Sequence, residues 1–291
     1  MLYNACMEVM IMKKNLVKLL TKDKEIRLFI VDATNILERS NLRDMKTDFA
    51  RQLYTNIYID CCLLRGFLTE IDQRINVSIR FKPAGYTAYC DVNGRGNVNC
   101  IFSSRLASFN GDFADLVGEG TSLSITRGSW TGGMFTGTVE LKSASIDSCF
   151  SYFYFKSEQT KTIFRTWIEN GIARGCLIQP LPFYNIDNLK FVMDGIDSAK
   201  KYIVTEQWAE LPLKVFPYAT VVDEYIVQSE CNCSKEMFFG ILMSVETDEL
   251  KKSIKVGKNE ELECGICGKR YIFRTNDLEI IVKMKESEQN G

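Results

Sequence analysis

The sequence predicts an α+β protein: an N-terminal domain of mainly antiparallel sheet packed with helices, a helical linker, and a small C-terminal α+β domain. Three observations predict it. Apolar residues recur at every second position through much of Ile75–Leu141, and at three-to-four spacing through Leu42–Leu68. Four cysteines stand in two close pairs, Cys231 with Cys233 and Cys264 with Cys267. A chain of 291 residues is long enough for one large domain and one small one. Boundaries are expected at 1–180, 181–230 and 231–285, with 1–11 as a candidate extension ahead of the first domain.

Met1–Met12 is fairly apolar, but Glu8 interrupts it and Lys13 and Lys14 follow rather than precede it, which is not the layout of an export signal. A start at Met10 or Met12 is the alternative that would make it dispensable. Glu25–Thr34 has the β-branched, alternating look of a strand. From Leu42 to Leu68, Phe49, Leu53, Ile57, Cys61, Leu64 and Leu68 mark one face of a long amphipathic helix. Cys61 and Cys62 on it read as small buried hydrophobes rather than a vicinal redox pair.

Ile75-Val77-Ile79-Phe81 and Tyr86-Ala88-Cys90-Val92 alternate across a turn at Lys82–Gly85. Asn93-Gly94-Arg95-Gly96-Asn97 is a hairpin turn by composition. It lacks the Lys-Ser/Thr ending of a phosphate loop and opens no helix. Ser122–Arg127 and Met134–Leu141 form a further pair across Gly128–Gly133. Ser145 is the N-cap of a helix running to Gln159, with Asp147 in its first turn. Phe150 and Tyr152–Phe155 on this helix are more aromatics than one face hides, so part of it is expected to dock another segment. Thr162–Glu169 and Ile172–Gln179 read as strands joined at Asn170-Gly171.

Pro180-Leu181-Pro182 ends the sheet pattern. Ile186–Val227 mixes helical runs with Pro212 and Pro217. Leu189, Phe191, Val192, Trp208, Leu211, Leu213 and Phe216 make it apolar enough to fold against the first domain but not to stand alone. Helices are then expected over Ser234–Ser244, near Asp248–Ile254 and from Asn276, with a hairpin at Cys264–Phe273 and a frayed tail at Glu286–Gly291.

The four paired cysteines carry the chemistry. Two close pairs, separated by residues 234–263, are how one chain brings four thiolates to the corners of a tetrahedron. Zn²⁺ favours that arrangement, with Zn–S distances of about 2.3 Å. Asn232, Gly265 and Gly268 allow the backbone to turn round an ion. The chain has no histidine, so the site is all-sulfur, and thiolates out-compete Glu230 and Glu263 for zinc. The C-terminal domain is therefore read as zinc-binding, with one Zn²⁺ per chain held by Cys231, Cys233, Cys264 and Cys267. A purely structural zinc is the plain alternative. Four thiolates round Zn²⁺ leave a net charge of about −2, only partly offset by Lys235, Lys269 and Arg270, so the sulfurs stay open to oxidants. The lobe's core is thin. Structural zinc contributes roughly 10–16 kcal/mol in such modules, against a whole-domain stability of about 5–15 kcal/mol. Losing the metal unfolds the lobe.

Composition excludes other classes. A net charge of −1 and a pI near 5.8 argue against a nucleic-acid binder that neutralises phosphates. Of 11 cysteines, those outside the metal set are scattered singly or adjacent on apolar stretches, which fits a reducing cytosol rather than a secreted disulfide framework. No stretch approaches the ~18–20 apolar residues that cross a bilayer, so neither membrane nor nucleic acid is an expected partner.

Three blocks resemble the bacterial redox-regulated heat-shock protein thirty-three family, which are holdase chaperones. Glu230–Ser234 with Cys264–Phe273 resembles the family's zinc signature, including its spacing. Tyr152–Gln159 resembles its helix ending in Ser-Glu-Gln. Gly175–Pro182 resembles the strand that ends its first domain. The similarity runs from about Met12 to Val282. The sequence departs from the family at Lys82-Pro83-Ala84-Gly85, where a Gly-Asp-Gly-Pro turn is usual, and at Leu42–Asp48, where the long helix usually starts with a histidine.

The resemblance implies a non-enzymatic, cytoplasmic protein that is inactive when reduced and zinc-bound. Oxidants would form the Cys231–Cys233 and Cys264–Cys267 disulfides and expel zinc. The lobe and linker would then loosen, exposing apolar surface to unfolding client proteins, with no nucleotide required and with a homodimer as the active form. Two other classes remain beside it: a thiol-disulfide oxidoreductase using Cys264 and Cys267, and a zinc-ribbon adaptor that binds constitutively.

Overall fold

The period of two through Ile75–Leu141 becomes, in the computed structural model, one of two five-stranded antiparallel sheets. The structure describes residues 14–289 except Pro83, Trp130 and Ser143, so the expected extension and the alternative starts lie outside the described residues. The fold is α+β, and the chain divides into two units, one ending at Ser229 and the other opening at Glu230.

The first unit runs β1 (Leu16–Thr21), β2 (Ile26–Asp32), α1 (Thr34–Leu37), α2 (Asp48–Leu64), β3 (Gln73–Arg80), β4 (Thr87–Asn93) and β5 (Val98–Phe102). It continues through α3 (Ser104–Ala107), α4 (Phe113–Leu116), β6 (Ser122–Ser129), β7 (Gly133–Glu140), α5 (Ile146–Ser157), β8 (Ile163–Glu169) and β9 (Ile172–Pro180). It closes with α6 (Ile186–Ile203), α7 (Leu211–Val215) and β10 (Ala219–Tyr225). One sheet has the order β10-β1-β2-β9-β8 and the other β5-β4-β3-β6-β7. The expected turn at Asn170-Gly171 joins β8 to β9, with both residues at positive φ (54° and 77°), the geometry an Asn-Gly hairpin favours. Ser145 caps α5 as expected, accepting from Ser148 N. On α5 the buried aromatics are Phe150, Phe153 and Tyr154, while Phe155 is left exposed.

The long helix expected over Leu42–Leu68 is instead three pieces. A 3₁₀ turn covers Asn41–Asp44, Met45 is extended, and Thr47 starts α2 afresh by accepting a hydrogen bond from Ala50 N at 3.1 Å. A second 3₁₀ turn covers Arg65–Phe67. Thr47 offers the backbone a cap in place of helix continuation, which is why the periodicity overshoots. Nor does α2 bury one face only. Leu53, Tyr54, Ile57, Tyr58, Cys62 and Leu63 are all buried, because it packs against β2, β8 and β9 of one sheet and β4 and β5 of the other. Cys61 and Cys62 are fully buried, as read.

The segment 181–230 folds on the outer side of the first sheet. Leu189, Val192 and Ile196 of α6, with Leu211 and Phe216 beyond it, cover Leu19, Leu28, Ile30 and Ile178. Arg174 of β9 fastens the end of α6: its Nη1 donates to the carbonyls of Ile203 (2.7 Å) and Glu206 (2.8 Å), while Nε holds Asp32 Oδ2 at 2.8 Å. The segment was expected to be helical, yet it also supplies β10, an edge strand antiparallel to β1. Beyond β10 the chain is clasped by the β4–β5 turn. Gln228 N donates to Gly96 O (2.9 Å), Val98 N donates to Gln228 O (2.8 Å), and Gln228 Nε2 donates to Asn97 Oδ1 (2.7 Å). Gly96 is at φ 92°, and a Cβ there would stand 2.0 Å from Ile226 O.

The second unit comprises α8 (Lys235–Met243), α9 (Thr247–Lys255), the hairpin β11 (Glu260–Glu263) and β12 (Arg270–Phe273), and α10 (Thr275–Gln289). Its core is small: Phe238, Leu242, Leu250, Phe273, Leu278 and Ile281 carry most of it. The tail expected to fray from Glu286 is helical to Gln289, with Glu286 paired to Lys251 at 2.7 Å.

Candidate metal centre

Each half of the centre is shaped by its own local turn. Cys231 and Cys233 precede α8, whose N-cap Ser234 accepts from Met237 N and so fixes where the helix starts. Cys264 and Cys267 occupy the turn between β11 and β12. Cys264 N donates to Lys269 O, Gly268 N donates back to Cys264 O, both at 2.8 Å, and Gly268 takes the positive φ (70°) that closes the loop. The hairpin was expected to begin at Cys264, and the structure begins its first strand four residues earlier, at Glu260.

These turns bring all four sulfurs together, within 4.8 Å of one another. Cys231 Sγ lies 3.9 Å from Cys264 Sγ, and Cys233 Sγ lies 3.5 Å from Cys267 Sγ. A tetrahedron with Zn–S bonds of about 2.3 Å has edges of about 3.8 Å, so the four thiols fit the ion that their spacing predicts. Three of them are half-buried and Cys264 is buried, packed on the core of the unit.

The sulfurs are not equivalent. Burial pushes the Cys231 thiol up to about 11, and burial raises Cys267 too. Burial acts on Cys233 in the same direction, but hydrogen bonds from Tyr271 Oη and from the other thiols outweigh it and leave this thiol below its ordinary value. Tyr271 Oη lies 3.1 Å from Cys233 Sγ and 2.7 Å from Cys233 O. Cys233 therefore sheds its proton more readily than Cys231 or Cys267. The expected offset of charge by nearby cations is weaker than read. Lys235 is taken by Asp277 at 2.7 Å, and Arg270 by Glu263 at 3.1 Å. Lys269 leans over the Tyr271 ring, 5.1 Å from its centre.

Cys264 and Cys267 lie in a hairpin turn rather than at a helix N-terminus, the usual seat of a catalytic Cys-x-x-Cys pair. Outside this centre the structure corrects one reading. Cys90 and Cys100, taken as separate residues of apolar stretches, are joined in a disulfide across β4 and β5. A signal for it was present in the sequence: they stand equally far from the two ends of the Asn93–Asn97 turn, so an antiparallel hairpin must oppose them.

Comparison with known proteins covers most of the chain, the four cysteines included. A sequence model of the family described as Hsp33 protein matches residues 14–274. The 33 kDa chaperonin of Latilactobacillus sakei is 27% identical, covering 93% of this chain and 99% of its own. That of Clostridium novyi is 22% identical, covering 94% and 99%. The crystal structure of the 33 kDa chaperonin of Thermotoga maritima shares the fold, with a TM-score of 0.79 at 18% identity over 94% of this chain and 100% of that one.

Proposed function

The chain belongs to the Hsp33 protein family, and on that footing we propose that it is a redox-regulated, ATP-independent holdase whose switch is the four-cysteine centre. Reduced, Cys231, Cys233, Cys264 and Cys267 hold one Zn²⁺ and the protein is inactive. Under oxidants of the peroxide or hypochlorite class the thiolates form disulfides, zinc leaves, and the second unit loses the free energy that keeps its small core folded. Segment 181–230 then loosens, and the protein binds unfolding proteins through exposed apolar surface as a homodimer in the cytoplasm. It catalyses no reaction.

One observation carries this reading. The four-sulfur centre follows directly in sequence on a segment whose helices cover the apolar outer face of a sheet: Leu19, Leu28, Ile30 and Ile178 beneath α6 and α7. Apolar surface of that kind binds clients without regard to their sequence. Cys231–Cys233 and Cys264–Cys267 are the disulfides that suit an opening switch. Cys231 also approaches Cys264, and Cys233 approaches Cys267, but bonds there would tie residues 33 and 34 apart and hold the unit folded. Bonds inside each pair leave residues 234–263 free to unfold.

The test is zinc release and suppression of client aggregation, before and after peroxide at mild heat, with Cys231→Ser and Cys264→Ser as controls. Peptide mapping of the oxidised protein should find both bonds inside the pairs. Equal protection in reductant and oxidant, with zinc bound throughout, would overturn the reading.

A further inference from the structure

We propose that Cys61, Cys90 and Cys100 form a second redox site, in the first unit, at which the oxidant that opens the zinc centre closes a bond that reinforces the sheet. The opposed effects would let one chemical signal unfold one unit while stapling the other. The inference borrows only the class of oxidant from the proposed function.

The geometry is specific. Cys90 and Cys100 are direct partners in the β4–β5 register and are joined in the structure. The Cys61 sulfur, on α2, lies within 4.8 Å of both. All three are buried, at 0%, 0% and 1% exposure. The same spot anchors the helix to the sheet: Tyr54 Oη of α2 donates to Cys100 O at 3.1 Å, and Asn41 Nδ2 donates to it at 3.0 Å. The hairpin that the bond would brace ends in the turn that clasps Gln228.

The step balances with a hydroperoxide as oxidant. With hydrogen peroxide as that oxidant, one thiolate attacks a peroxide oxygen, the O–O bond breaks, a sulfenic acid forms, and the departing hydroxide takes up the proton the thiol gave away and leaves as water. The second thiol attacks that sulfur, the S–S bond forms, and a second water leaves. Two electrons pass from the two thiols to the peroxide. Cys61 supplies a relay for the return step: its thiolate attacks Cys90 or Cys100, taking over one sulfur and releasing the other as a thiolate, and a small-molecule thiol then reduces the new bond to Cys61, giving up two electrons and becoming a disulfide itself. Burial holds the Cys61 thiol protonated, so both reactions wait on α2 lifting from the hairpin. In a reducing compartment the pair would stay as thiols until the oxidant load rises.

The experiment uses the full chain with Cys231, Cys233, Cys264 and Cys267 all changed to Ser, beside the unaltered protein. Each is fully reduced, treated with peroxide at mild heat, alkylated under denaturing conditions and mapped by mass spectrometry. A linked Cys90–Cys100 peptide is expected in both chains, forming faster as temperature rises. The first unit of the oxidised protein should melt about 5–10 °C above the same protein re-reduced, and Cys61→Ala should slow that re-reduction. Absence of the linked peptide in both chains, or equal melting of the oxidised and re-reduced protein, overturns the proposal. Zinc retention by the unaltered chain under peroxide would overturn only the zinc switch.

Discussion

Asp60 lies in α2 with 0% exposure, and among the described residues neither of its carboxylate oxygens has a hydrogen-bond partner. Burial pushes its proton affinity well above that of an ordinary aspartate, and Asp147 adds to the effect. The folded chain therefore keeps a proton that the unfolded chain, with a carboxyl near pKa 3.9, gives up. Stability from this residue is complete below about pH 4 and is lost as pH rises towards the folded-state value. Asp60→Asn keeps the shape and cannot ionise. Urea unfolding should show the variant gaining on the parent between pH 5 and pH 8, by about 1.4 kcal/mol for each tenfold change in proton affinity. A difference that stays constant across that range would mean the carboxyl carries no such burden. At this scale the sequence was uneven. The clustering of Cys231, Cys233, Cys264 and Cys267 was legible because the spacing within each pair is covalent and short-range. Asp60 was not, because a single acid on a helix gives no hint that the fold buries it completely.

Among the elements, the C-terminal end of α6 is fastened by one side chain of β9. Arg174 is 4% exposed and joins Asp32 to the carbonyls of Ile203 and Glu206, so its loss leaves a carboxylate and two helix-end carbonyls without their cation. Breaking such a buried pair costs about 3–5 kcal/mol. Arg174→Ala should therefore loosen the end of α6 without touching the four-cysteine centre. Limited proteolysis should cut within 186–215 in the reduced protein, with zinc retained. Protection of that segment equal to the parent's would refute the tether. Elements were legible where local pattern suffices, as in the β3–β4 and β8–β9 hairpins. Strands β1 and β10 were not, because they define each other: Leu16 pairs with Tyr225 and Thr21 with Ala219, and most of β10 is exposed and carries little apolar signal. The overshoot of α2 has the opposite cause, since periodicity persists through Met45 while Thr47 breaks the backbone.

For the whole molecule, two units with such different cores should not melt together. The first spreads its burial over two sheets and the helices packed on them, whereas the second rests on a few side chains and four sulfurs. Removing zinc with a strong chelator under reductant should unfold the second unit alone. Calorimetry should then lose its zinc-dependent transition while the first unit's persists, and readdition of zinc should restore it. A single transition unaffected by chelation would contradict the division. The pairing of β10 with β1 adds a consequence at this scale. While β10 is in place, β1 is an interior strand with both sides hydrogen-bonded. Once β10 departs with the rest of 181–230, one side of β1 is left with bare amides and carbonyls, a template to which any extended peptide can zip. Opening the protein would thus offer incoming chains a ladder of main-chain bonds as well as a greasy plate, and would favour captives that have already lost their own secondary structure.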